Sequence, residues 1–266
     1  MLKRVMQKAA NQFGYRIVKE TPKKDRTPSG PSPYHTGILS MLARKDLIHI
    51  VVVGANDGKI NDPIYELIRT KLAERVRLLL VEPQTSLIPI IEQNYDFLPS
   101  KRVVNCAIGK EGELELYTIK ENYWERLDVP YAKGWPAYRA PTGVTSANKE
   151  HLIGWLRKYL GDHDTDDVIE IIRVPCRPLS RVLQEEDFPE EIDLLQIDVE
   201  GNDDVVIYNA DLAHTRPALI FFESHSLNPE RTQRLDEHLA ANGYGTFRMG
   251  GDTLAILENK TKVQFW

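Results

Sequence analysis

The segment Leu194-Leu195-Gln196-Ile197-Asp198-Val199-Glu200-Gly201 delivers two carboxylates, two residues apart, where an apolar run ends. An acid at the end of a buried strand costs free energy unless it is paired, so Asp198 needs a substrate hydroxyl, a backbone amide or a metal. The plainer alternative is that Asp198 caps the helix that follows. Ile220-Phe221-Phe222-Glu223-Ser224-His225 repeats the theme, with an acid and a histidine closing a second apolar run. A histidine placed there serves as a general base or stays a surface side chain. Val51-Val52-Val53-Gly54-Ala55-Asn56-Asp57-Gly58 runs from an apolar stretch into a glycine turn, the bend that lets backbone approach a ligand. Its G-x-x-x-G spacing lacks the G-x-G-x-x-G fingerprint, which disfavours a pyrophosphate cradle and, with it, a nicotinamide oxidoreductase. Glu82, which closes Leu78-Leu79-Leu80-Val81 and precedes Pro83, is placed to accept both hydroxyls of a ribose, with a solvated strand end as the bland reading.

These residues need strands that end at one edge of a sheet. From Leu47 the chain alternates short apolar runs with amphipathic stretches, the pattern of βαβ units around a parallel sheet. Strands are expected at Leu47–Val53, Arg77–Glu82, Arg102–Ile108, Glu113–Ile119, Val168–Pro175, Ile192–Asp198 and Ala218–Glu223. Helices are expected at Pro63–Glu74, where Asp62 is a good N-cap before a proline, at Thr85–Asn94 and at Ser180–Glu185. Gly245–Met249 and Thr253–Glu258, around Gly250-Gly251-Asp252, read as a terminal hairpin. The expected class is α/β, a mostly parallel sheet finished by an antiparallel hairpin. Between its strands lies a long irregular stretch, Lys120–Asp167, rich in Tyr and Trp.

Composition narrows the classes. The chain has 266 residues, 42% hydrophobic and 27% charged, as an ordinary globular protein does. No apolar run approaches the ~18 residues of a spanning helix and no signal pattern opens the chain, so a cytoplasmic protein is expected. Cys106 and Cys176, without a CxxC or His-Cys cluster, read as buried free thiols. The net charge of -5 is uneven: residues 1–26 carry eight Lys and Arg against Glu20 and Asp25, a net of +6, which leaves -11 for the rest. That acidic body excludes extended nucleic-acid binding. Leu2, Val5, Met6, Ala9, Ala10 and Phe13 recur at helical spacing. The arm therefore fits a helix docked on the body or on a second subunit, as in a homodimer, or one lying peripherally on an anionic membrane. Pro22, Pro28, Pro31 and Pro33 mark the linker after it. The expected division is 1–33 for arm and linker and 34–266 for the main domain, with 120–167 inserted in it.

Taken in order, Val53-Gly54-Ala55-Asn56-Asp57-Gly58 with Asn61-Asp62-Pro63, Leu80-Val81-Glu82-Pro83, Ile197-Asp198-Val199-Glu200-Gly201, Pro217 to Glu223, and Gly243-Tyr244 resemble the FkbM family of methyltransferases. The resemblance spans about Leu47 to Leu257. It implies a class I, Rossmann-like fold with a seven-stranded sheet, S-adenosylmethionine as methyl donor, and O-methylation of a sugar or natural-product hydroxyl. Carried over, Gly54, Asn56 and Gly58 line the methionine end of the cofactor and Glu82 holds the ribose. Asp57, Pro83, Asn105 and Cys106 complete the expected cofactor set. Asp198 and Glu200 face the reaction centre. Two positions depart from the family: Val52 stands where many members carry an acid, with Asp57 or Asp62 as the substitute, and Asn202 stands where an aromatic or histidine often follows the glycine.

Methyl transfer to a sugar hydroxyl requires alignment and a base, because the hydroxyl is a very weak acid. Asp198, Glu200 and His225 are the candidate bases. A divalent cation on such carboxylates would also lower the hydroxyl's pKa, but two acids are too few to argue for one. The acceptor, a glycan or small molecule, is expected on the aromatic stretch and beside it, at Tyr123, Trp124, Trp135, Tyr138, Ser146 and Glu223. Those rings alternatively pack the loop onto the body or form a dimer contact. The alternative function is a non-catalytic protein with the same fold that binds S-adenosylmethionine or serves as a partner in glycan assembly.

Overall fold

The structure, a computed structural model, describes residues 32–160 and 165–258. The expected basic helix of residues 1–26 and most of the linker fall outside them. The chain divides into two units, Met1–Thr36 and Gly37–Trp266. In the first, the Ser32 hydroxyl accepts a hydrogen bond from the His35 amide at 3.2 Å. It thereby caps α1 (Pro33–Leu42), whose first position is a proline with no N–H to satisfy.

In the second unit the strands are β1 (Ile48–Val53), β2 (Val76–Val81), β3 (Lys101–Val104), β4 (Ala107–Ile108), β5 (Gly112–Ile119), β6 (Ile169–Arg177), β7 (Leu194–Ile197), β8 (Leu219–Glu223), β9 (Tyr244–Met249) and β10 (Asp252–Leu257). The helices are α2 (Tyr65–Leu67), which continues as a π-helical turn over Ile68–Leu72, then α3 (Ile88–Asn94), α4 (Arg139–Gly143), α5 (Lys149–Tyr159), α6 (Thr165–Val168), α7 (Leu179–Glu185), α8 (Asp203–Tyr208) and α9 (Pro229–Ala241).

Seven strands form the main sheet in the order β3-β2-β1-β7-β8-β10-β9. The first five run parallel, and β10 is antiparallel to both β8 and β9. This is the expected α/β sheet with its terminal hairpin. Its central strands are mostly apolar, interrupted at His49, Arg77 and Gln196, because both faces are covered. On one face Val51, Val53, Leu79, Val81, Leu195 and Ile197 pack with Val182 and Leu183 of α7, Ile207 of α8 and Leu239 of α9. Burying each of these side chains contributes about 1.5–3 kcal/mol. Chain order reverses between β1 and β7, so a crevice opens where those two strands end.

Two expectations are corrected. The single strand Arg102–Ile108 is two: β3 belongs to the main sheet and β4 to a second sheet of order β4-β6-β5. The break falls at Asn105, whose side-chain amide turns away to donate to the Glu82 and Pro83 carbonyls, each at 2.9 Å. The stretch Lys120–Asp167 is not irregular either, because it contains α4, α5 and two 3-10 turns. Helix α5 begins where the Asn148 side chain accepts from the Glu150 and His151 amides at 3.1 and 3.4 Å. It buries Leu152, Ile153 and Leu156 against Ile119, Val168 and Ile169.

Candidate active site

Glycine is required where β1 ends. Gly54 has φ +79, and a Cβ on it would stand 1.9 Å from the Asp198 carbonyl oxygen. The Asp198 amide donates to the Val53 carbonyl at 3.0 Å, so the loops after β1 and β7 leave the sheet in backbone contact. They open a cleft of about 350 Å³ lined by Gly54, Asn56, Glu82, Pro83, Cys106, Ser146, Asp198, Glu200 and, from the insertion, Tyr131, Trp135 and Arg139.

Glu82 organises the β2 side. It is 2% exposed. One carboxylate oxygen accepts from the Asn56 amide at 2.7 Å, and the other from the Gln84 backbone and side-chain amides at 2.9 and 3.2 Å. Burial nevertheless pushes its pKa up to about 7, because losing water outweighs those hydrogen bonds. The insertion is laced to this network: the Asn56 side-chain amide donates to the Thr142 hydroxyl at 3.1 Å, and the Gln84 amide to the Thr142 carbonyl at 3.1 Å.

On the β7 side Asp198 is exposed to the open cleft. Its carboxyl titrates well above the ordinary range, first because of the depth of protein around it and then because Glu200 and Glu223 are negative neighbours. Glu200 occupies a left-handed conformation, φ +52. Its carboxylate meets His151 Nε2 at 3.0 Å, and its carbonyl accepts from the Ser146 hydroxyl at 2.7 Å. The hydrogen bond to Glu200 raises the pKa of His151, favouring its charged form. Glu223 takes a hydrogen bond from Ser226 at 2.7 Å and lies 3.3 Å from His225 Nδ1. The His225 side chain is 63% exposed and does not line the cleft, so among the candidate bases only Asp198 and Glu200 do.

Several expected residues support the cleft without facing it. Gly58, φ +70, is packed on Tyr95, 2.8 Å from where its Cβ would be, and does not line the cleft. Asp57 is turned inward: its carboxylate accepts from the Lys59 and Ile60 amides at 2.9 Å and from the Tyr138 hydroxyl at 3.3 Å, and it pairs with Arg139 at 3.5 Å. Asn105 holds the Glu82-Pro83 turn from behind. Tyr123 and Trp124 pack against the insertion's own core, with the Trp124 indole donating to the Ile119 carbonyl at 2.9 Å. Of the acceptor residues expected from the sequence, Trp135 and Ser146 line the cleft, whereas Tyr123, Trp124, Tyr138 and Glu223 do not.

The structure adds residues to the site. Asp62 is expected to cap a helix from Pro63, but α2 begins only at Tyr65 with Ile64 at its N-cap. Asp62 instead accepts from the Ile64 and Tyr65 amides at 2.8 and 2.9 Å and fixes the turn leading into α2. It also lines the cleft. Gln84, Arg139, Thr142 and Gln196 line it as well, and His151 acts on it through Glu200. Gln196 carried a signal, being a polar residue inside an apolar strand. Asp62 carried one too, as an acid of the glycine turn able to stand in for the one missing at Val52, whereas Gln84, Arg139, Thr142 and His151 carried none, since only folding brings them to the cleft. Both thiols are free and buried as expected, and burial pushes Cys106 up to about 11. Among the described residues no group of three His, Cys, Asp or Glu is arranged to hold a metal ion. No helix among them is long and apolar enough to cross a membrane.

Residues 53–246 match the family described as the methyltransferase FkbM domain. No curated protein sequence matches the chain. Among solved structures it is similar to precorrin-6y C5,15-methyltransferase from Geobacter metallireducens GS-15, at 11% identity over 84% of this chain and 86% of that one with a TM-score of 0.38. It is likewise similar to human methyltransferase 10 domain containing protein, at 12% identity over 95% and 96% with a TM-score of 0.38. A third is Aeropyrum pernix fibrillarin with natively bound S-adenosyl-L-methionine, at 10% identity over 82% and 72% with a TM-score of 0.38.

Proposed function

The chain belongs to the FkbM family of methyltransferases, and from that premise we propose that its cleft binds S-adenosylmethionine and that the enzyme methylates a hydroxyl of a sugar. The fold is the expected α/β class I methyltransferase fold, with the cleft at the reversal of strand order. The residues present fit this cofactor. Asp62, Glu82, Asp198 and Glu200 line the cleft, and Arg139 is the only base among the described residues that do so. Such a field favours a cationic ligand.

When bound, S-adenosylmethionine supplies an electrophilic methyl carbon on a positively charged sulfur. The carboxylate of Glu82 uses one lone-pair direction on Oε2 and two on Oε1, and the direction left on Oε2 suits a ribose hydroxyl. Asp198 accepts the proton of the acceptor hydroxyl. Its raised pKa makes it a stronger base than an ordinary carboxylate, which matters for so weak an acid. Glu200, fixed by His151 and Ser146, orients the same hydroxyl. Tyr131 and Trp135, ring centroids 5.8 Å apart, give the cleft the apolar surfaces that a sugar ring packs on. Holding donor and acceptor in line contributes ~7 kcal/mol or more.

The observation that carries the reading is Asp198 standing in an acidic cleft at the switch point of a fold whose family is methyltransferase. Calorimetric titration with S-adenosylmethionine tests the cofactor, and absence of binding at millimolar concentration overturns it. Turnover against a panel of saccharides tests the acceptor. Binding without methylation of any saccharide favours the non-catalytic alternative.

A further inference from the structure

Val52 is 1% exposed inside β1 and offers the cleft nothing polar. Its register partner on β7 is Gln196, a polar side chain only 4% exposed. The Gln196 amide donates to Asp62 Oδ2 at 3.2 Å. Asp62 Oδ1 is already committed to the amides of Ile64 and Tyr65. One oxygen is therefore locked to α2 and its approach, while the other is steered by a buried amide and keeps a lone pair for a further donor. Asn61, in a left-handed conformation at φ +60, sets the bend that delivers Asp62 to the cleft wall.

On the cofactor reading argued above, we propose that Asp62 binds the ammonium of the cofactor's amino-acid end, in place of the strand acid that Val52 lacks. Asp57, the other candidate substitute, is excluded by its position. Its carboxylate is 1% exposed and spent on Lys59, Ile60, Tyr138 and Arg139. Gln196 is a positioning residue: it holds Asp62 and needs no contact with the ligand.

S-adenosylhomocysteine and 5′-methylthioadenosine share the adenosine and the thioether, and only the first carries the amino-acid end. Calorimetry of both ligands on the full chain therefore isolates Asp62. Asp62→Asn keeps an oxygen for the turn into α2 and removes the charge. Its affinity for S-adenosylhomocysteine is expected to fall about tenfold or more, and that for methylthioadenosine by less than about threefold. Equal losses for the two ligands, or no loss, overturn the assignment. Gln196→Met fills the same space without the amide and is expected to show the same discrimination in weaker form; it decides the matter if Asp62→Asn does not fold. Wild-type protein that binds neither ligand overturns the cofactor reading itself, whereas normal wild-type binding with non-discriminating variants overturns only the role of Asp62.

Discussion

Gly54 and Asp198 approach so closely that a single methyl group on the glycine would overlap the aspartate's carbonyl oxygen, 1.9 Å away. Gly54→Ala is therefore expected to force the β1 and β7 loops apart and abolish cofactor binding by calorimetry. The left-handed strain alone, about 1 kcal/mol, lowers Tm by about 2–4 °C in a chain of this size, and the collision adds to it. Gly134, φ +90 with nothing within 4 Å of an added Cβ, is the control. Gly134→Ala carries the strain without the collision and is expected to leave binding intact.

Asp198→Asn removes the proposed base while keeping its size. Turnover is expected to fall about 10²- to 10⁴-fold, with cofactor affinity changed by less than about threefold. Because the surrounding protein, and then Glu200 and Glu223, raise the Asp198 pKa, wild-type turnover is expected to rise with pH across neutrality as the carboxyl ionises. The variant's residual rate should lose that rise. Unchanged turnover in Asp198→Asn removes the residue from catalysis.

Glu82 gives stability a pH dependence of definite sign. Its pKa is about 7 in the folded protein against an ordinary 4.5, so between those values the folded state holds the extra proton. Stability therefore falls as pH rises from 4.5 to 7, by up to about 3 kcal/mol. Denaturant unfolding at pH 5 and pH 8 measures this difference. Asp62 and Asp198, also raised by burial, add to the same slope. Glu82→Gln is therefore expected to reduce the difference without abolishing it, and an undiminished difference in the variant assigns the effect to those other groups.

Two aromatic residues of the insertion should behave differently. Trp135 lines the cleft with the Arg139 guanidinium 5.5 Å from its ring centroid, so Trp135→Ala is expected to raise KM for the acceptor about tenfold and leave cofactor affinity unchanged. Tyr123 packs on the insertion core, so Tyr123→Ala is expected to lower Tm without a comparable KM effect.

What was readable in the chain and what was not divides along physical lines. The centre of the sheet was readable because β1, β2, β7 and β8 are buried on both faces and are mostly apolar, and the ends of three of them name Gly54, Glu82 and Asp198. Helix α5 was missed although its signals are present: an Asn148 cap, apolar residues at 152, 153 and 156, and bases Arg157 and Lys158 in the last turn. The aromatic residues crowding that region are equally the composition of a binding loop. Which rings face the cleft was not readable, because Trp124 and Trp135 are chemically alike and differ only in what the folded insertion places behind them. The same holds for Asp57 and Asp62, two acids of one loop whose opposite orientations depend on Tyr138 and Gln196, far away in sequence.

The pairing of β5 with β6 ends with Ile119 opposite Ile169, so the two ends of the insertion leave the second sheet side by side. Lengthening a loop anchored this way costs little, about 0.6 kcal/mol per doubling. Cleft roof and cleft floor are thus separable modules: Asp198, Glu82 and Asp62 belong to the scaffold, while Trp135 and Tyr131 ride on a cassette with its own small core. Grafting another sequence between Ile119 and Ile169 would exchange the proposed acceptor surface and leave the scaffold side of the cleft in place, provided the graft supplies substitutes for Thr142 beside Asn56 and Gln84 and for Ser146 and His151 behind Glu200.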